Sequence, residues 1–119
     1  VCLPISKITE CVNFAEEETK KFGLRAPMVG HLGDGNFHVI LPYDPKKKET
    51  YQKIREFSDL LIKKTLELDG TITGEHGVGL HKKDYLIKEH GDNIPVMKSI
   101  KRTIDPNNIM NPGKIFDLN

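Results

Sequence analysis

Gly30-His31-Leu32-Gly33-Asp34-Gly35-Asn36-Phe37-His38 is the stretch that decides how this chain folds. His31 and His38 stand seven positions apart in it, an odd spacing that on one continuous strand turns the two imidazoles to opposite faces. Asp34-Gly35 changes that reading. An Asp-Gly pair is among the strongest two-residue hairpin signals, because a type I′ turn needs positive φ at both central positions. With this pair at the tip, Gly33 is expected opposite Asn36, Leu32 opposite Phe37 and His31 opposite His38. Directly opposed residues share a face at about 4.5–5.5 Å, so both rings would reach one metal ion.

A third ligand is expected from Gly70-Thr71-Ile72-Thr73-Gly74-Glu75-His76-Gly77-Val78-Gly79, a short β-branched strand running into a glycine-rich bend. The glycines around Glu75 and His76 permit backbone angles that other residues resist, so both side chains could reach one cavity from adjacent positions. Two histidines and one carboxylate leave coordination positions open, as catalytic rather than structural metal sites do. His76, the histidine left over, is the natural general base. Taken singly, a strand histidine is usually a half-buried polar group, and Glu75 reads as a solvated turn residue. The metal reading rests on the residues acting jointly. His81 and His90 lack such a setting and are expected at the surface.

At 119 residues the chain is read as one domain with a modest core. Charged residues make up 29% of it, but the formal charge is only +1, which leaves no electrostatic footprint for nucleic acid. Lys46-Lys47-Lys48 and Lys82-Lys83 read as solvated surface. No apolar run is long enough for a transmembrane segment. Cys2 and Cys11 are too few for a disulfide framework and are expected to be reduced, packed thiols, which fits a reducing compartment. Neither a dinucleotide-binding fingerprint nor a P-loop is present.

Around the hairpin, the expected order runs as follows. Val1-Cys2-Leu3 forms a short strand ended by Pro4. Ser6 caps a helix carrying Ile8, Val12, Ala15, Thr19 and Phe22 at helical spacing, with Gly23 as its stop. Pro27–Leu32 and Phe37–Leu41 form the hairpin. A long lysine-initiated helix buries Tyr51, Ile54, Phe57, Leu61 and Leu68 and closes at Gly70, and a strand follows through Thr71-Ile72-Thr73. This is the α+β, ferredoxin-like βαββαβ pattern, an antiparallel sheet with two helices on one face. Two further helices are expected, near 80–89 and 94–104, the second with Met97, Ile100 and Ile104 on its inner side. Asp105-Pro106 ends it, and an extended polar tail with Asn111-Pro112-Gly113-Lys114 closes the chain.

In that order, GHLGDGNFH, TGEHGVG and IKRTIDPNNIMNPGKIF, with VCLPISK at the start, resemble the C-terminal part of the flavin-linked 2-hydroxyacid dehydrogenases. These are FAD-linked oxidases of the vanillyl-alcohol-oxidase type, including D-lactate, glycolate and D-2-hydroxyglutarate dehydrogenases. The resemblance implies that residues 1–119 are the C-terminal substrate or cap domain, with the FAD-binding domain upstream and absent from this chain. It implies that His31, His38 and Glu75 bind a divalent metal and that His76 is the catalytic base. Ligand types and family habit favour zinc over Mn²⁺, Fe²⁺ or Co²⁺. The tail is implied to pack near the flavin, giving Asn111 a cofactor contact. For Asn36 two readings stay open, turn geometry or an amide directed at ligand or flavin.

The implied reaction is oxidation of a D-2-hydroxyacid to the 2-oxoacid, with a hydride passed to FAD and on to a redox acceptor protein or quinone. The chain alone is expected to be catalytically silent. A bacterial cytoplasm, with possible attachment at the inner membrane, or a mitochondrion is the expected location. Ile40 stands where the hydroxyglutarate branch carries a polar asparagine, and an aliphatic wall there leans toward lactate-like or glycolate-like substrates. The alternatives are a freestanding ferredoxin-like metal-binding module without redox activity and a metal-dependent hydrolase.

Overall fold

The computed structural model describes residues 1–118. The chain is α+β and packs as two units, one over Val1–Glu75 and one from His76 onward.

In the first unit, helix α1 spans Ile5–Phe22. Ile8, Cys11, Ala15 and Thr19 recur every three or four residues along its buried stripe. Pro4, rather than Ser6, occupies the N-cap, and no side chain caps the helix. A proline with its φ already near −50° starts a helix without needing the Ser6 hydroxyl. At the other end Gly23 is left-handed, and the N–H groups of Gly23 and Leu24 donate to the carbonyls of Lys20 and Thr19. Strands β1 (Met28–His31) and β2 (Asn36–Val39) form an antiparallel pair. Helix α2 covers Lys48–Glu67 and turns Phe57, Leu61, Ile62 and Thr65 inward. Tyr51, expected in that stripe, is exposed instead, because the first turns of α2 run beyond the core; its ring lies 5.6 Å from that of Tyr43.

The core gathers Leu3, Ile8, Cys11, Ala15, Phe37, Phe57, Leu61 and Leu68. Phe22 meets Phe57 edge to face, and Glu10 pairs with Lys64 between the two helices at 2.7 Å. The hairpin supplies Phe37, Met28 and Val39 to this core from one face, which leaves the alternate residues on the other. The expected first and last strands shrink to single bridges. Cys2 pairs with Asn36 on one side and Thr71 on the other, so among the described residues the sheet has two strands rather than four.

In the second unit, α3 (Lys83–His90) begins three residues later than expected and α4 spans Ile94–Ile104. The carboxylate of Asp105 stops α4. It accepts the N–H groups of Ile109 and Met110 at 3.0 and 2.9 Å and the Lys101 ammonium. Lys83 holds the tail through Asp117 at 2.8 Å and the Gly113 carbonyl at 3.2 Å. The face expected to turn inward does not. Ile100 and Ile104 are exposed, and no residue of α4 is buried. With Met97, Met110, Ile115 and Phe116 they line an open groove of about 390 Å³.

Candidate metal centre

The register of the hairpin differs by two residues from the one a two-residue turn would set. Val29 faces His38, Gly30 faces Phe37 and His31 faces Asn36. The physical reason lies in the loop. Leu32–Asp34 make a 3₁₀ turn, Gly35 alone is left-handed at φ 80°, and its N–H closes the turn on the Leu32 carbonyl. Asp34 keeps a negative φ, so the loop is four residues long and the type I′ tip never forms. A slip of one residue would have sent one histidine to the core face; a slip of two preserves the face. His31 therefore stands diagonal to His38, not directly across from it, at the roughly 7–8 Å typical of such neighbours. Its ring is exposed.

Asn36 and His38, two apart on β2, point to the side of the sheet away from Phe37. Glu75 comes to meet them after the Thr71 bridge and a left-handed Gly74. His38 Nε2 lies 3.3 Å from Glu75 Oε1, with both side chains partly open to solvent. Asn36 Nδ2 donates to Glu75 Oε2 at 3.0 Å. Both oxygens of one carboxylate are thus engaged from the same strand. Asn36 is almost wholly buried, at 5% exposure, and its Oδ1 is buried with no hydrogen-bond partner.

This donor pair suits a divalent cation. Bonds of about 2.0–2.2 Å to a histidine nitrogen and a carboxylate oxygen subtend an angle of about 100° across the observed 3.3 Å, close to tetrahedral.

The other expected site residues are placed as follows. His76 is exposed and follows Glu75 directly in the chain, at the start of the second unit. Asn111 is exposed and left-handed at φ 47°, and its carbonyl accepts the Lys114 N–H at 3.2 Å. Locally it is a turn residue. His81 is exposed, and His90 is partly so beside Glu89. The pairing of Asn36 with Glu75 was not foreseen. Its signal is the two-residue spacing of Asn36 and His38, which fixes them to one face once the register is known.

Residues 1–115 match the family described as FAD linked oxidases, C-terminal domain. Over 119 residues the chain is 43% identical to the mitochondrial D-lactate dehydrogenase [cytochrome] of Kluyveromyces lactis, covering 99% of the chain and 20% of that protein. It is 38% identical over 115 residues to the glycolate oxidase subunit GlcD of Bacillus subtilis, covering 96% and 24%. It is 41% identical over 90 residues to the D-2-hydroxyglutarate dehydrogenase of Stutzerimonas stutzeri, covering 73% and 19%. The chain therefore spans a quarter or less of the length of these relatives.

Proposed function

Because the chain belongs to the FAD linked oxidase C-terminal domain family, we propose that it supplies the substrate-side half of a 2-hydroxyacid dehydrogenase. The Glu75 carboxylate shared by His38 and Asn36 carries this reading. A divalent cation held by His31, His38 and Glu75, zinc by ligand type, would steady negative charge developing on the substrate hydroxyl and grip its carboxylate. FAD, bound mainly by an upstream domain, would accept the two electrons.

The residues of this chain divide the remaining work. His31 and His38 present imidazoles from one face of the hairpin, and Glu75 offsets the cation's charge from the neighbouring bend. An imidazole nitrogen of His76 takes the hydroxyl proton as the C–H bond gives up its hydrogen with both electrons. The carbon–oxygen double bond of the 2-oxoacid forms from the electrons the departing proton leaves behind. His76 is one residue from Glu75, with Cα atoms about 3.8 Å apart across the peptide, which favours its acting beside that carboxylate. Ile40 follows β2 in phase with Asn36 and His38 and is half exposed. An aliphatic group on that face suits lactate or glycolate better than a second carboxylate. Asn111 is assigned a contact to the cofactor from the tail. Electrons leave for a protein or quinone acceptor, in a bacterial cytoplasm or a mitochondrion; among the described residues no helix is long and apolar enough to cross a membrane. The exposed apolar face of α4 supports a further domain, without which the chain has no turnover of its own.

The test uses the full-length protein with D-lactate, glycolate and D-2-hydroxyglutarate and an artificial electron acceptor, alongside metal analysis. His38→Ala is expected to lose bound metal and turnover together, and lactate or glycolate is expected to be the preferred substrate. A His38→Ala protein with wild-type turnover would remove this site from the reaction.

A further inference from the structure

We infer that Asn36 is a positioning residue for Glu75: its side-chain amide fixes the carboxylate so that Oε1, beside His38, is the oxygen left to face a cation. The inference rests on the metal reading above and deepens it. Asn36 is 5% exposed, too enclosed for its amide to be offered to a substrate. Its Nδ2 spends a hydrogen bond on Glu75 Oε2 at 3.0 Å, on the side of the carboxylate opposite the 3.3 Å approach of His38 to Oε1. The orientation of the amide is dictated by that contact. Rotating it by half a turn would press an oxygen against a carboxylate oxygen.

The orientation kept leaves Oδ1 buried without a partner, an arrangement that folded proteins seldom tolerate without a reason. The reason here is the donor. Asn36 is also the better anchored of the two residues. Its backbone lies between His31 on β1 and Cys2 on the other side, whereas Glu75 sits in a bend entered through a left-handed glycine. A rigid strand residue thus orients a ligand carried on a less constrained segment. Partners of this kind, hydrogen-bonded to a liganding carboxylate, commonly change metal affinity by about 10–100-fold when removed.

The experiment measures Zn²⁺ binding to the full-length protein by competition with a chromophoric chelator. Wild type is compared with Asn36→Ala, Asn36→Leu, Glu75→Ala and each Asn36 change combined with Glu75→Ala. Alanine leaves a cavity and leucine fills it without a donor, so a defect shared by both reports the lost hydrogen bond rather than packing. Folding of each is checked by far-UV circular dichroism. Each Asn36 variant is expected to weaken Zn²⁺ binding about 10–100-fold, and neither is expected to weaken it further once Glu75 is gone. A folded Asn36→Ala or Asn36→Leu protein with affinity within about twofold of wild type overturns the inference. So does an Asn36 defect of equal size in the Glu75→Ala background. If Glu75→Ala alone binds Zn²⁺ like wild type, the metal reading itself fails, and this inference with it.

Discussion

Alanine at Gly35 and alanine at Gly33, two residues away in the same loop, are expected to move stability in opposite directions. At Gly35 the backbone is left-handed, φ 80°, and an added Cβ would lie 2.2 Å from the Leu3 carbonyl oxygen. Holding an L-residue in that conformation costs about 1–2 kcal/mol. The clash is with backbone and can be relieved only by displacing residues 1–3 or the turn, an overpacking penalty of about 1–3 kcal/mol. Together these predict a loss of roughly 2–5 kcal/mol. At Gly33 nothing stands within 4 Å of the added carbon and φ is not positive. There the substitution mainly restricts the unfolded chain and should add about 0.4–1 kcal/mol. Urea unfolding followed by far-UV circular dichroism checks both through the midpoint at constant slope. A Gly35→Ala protein within about 0.5 kcal/mol of wild type, or a Gly33→Ala protein as damaged as Gly35→Ala, would refute this account of the loop.

His76→Ala in the full-length protein is expected to abolish turnover while leaving metal content intact, as metal analysis beside a turnover assay would show. Phe57→Ala, which empties a fully buried ring position, should destabilise by about 3–5 kcal/mol, read from the same urea transitions. Asp105 is held below the usual carboxylate range by the Lys101 ammonium and by the Met110 and Ile109 N–H groups, against the upward push of burial. Because its folded pKa is depressed, its contribution is complete above the unfolded value near 4 and disappears as pH falls through the folded one. Wild type should therefore exceed Asp105→Asn in stability at pH 7, with the gap closing in acid titrations monitored by thermal unfolding.

Helical periodicity was readable wherever an apolar stripe met a clear stop. Ile8, Ala15 and Thr19 ahead of Gly23 marked α1, and Ile94 to Ile104 ahead of Asp105-Pro106 marked α4 to the residue. The hairpin was legible, but its register was not. Asp34-Gly35 is compatible both with a two-residue turn and with the four-residue loop observed, and the choice depends on the Leu3 backbone, which bonds Gly35 from outside the hairpin. His38 and Glu75 approach to 3.3 Å, whereas His31 lies diagonal to His38 rather than directly across from it. Residues 1–3 and 71–73 have strand composition, yet their pairing is settled by tertiary contacts and stops at isolated bridges, Cys2 with Asn36 and with Thr71. The buried face assigned to α4 followed from its amphipathic pattern, and a pattern specifies which side is apolar, not whether anything covers it.

The first three residues, Val1–Leu3, act as a clasp. Val1 exchanges hydrogen bonds with Phe37, Leu3 donates to Gly35, and Cys2 exchanges a pair with Thr71. One short length of backbone thereby laces the hairpin bearing two imidazoles to the segment that delivers the carboxylate. Trimming the polypeptide to start at Pro4 would spare every proposed ligand and both long helices, yet undo all of that lacing. Such a shortened protein should keep most of its helical signal in far-UV circular dichroism and lose the Zn²⁺ binding proposed above.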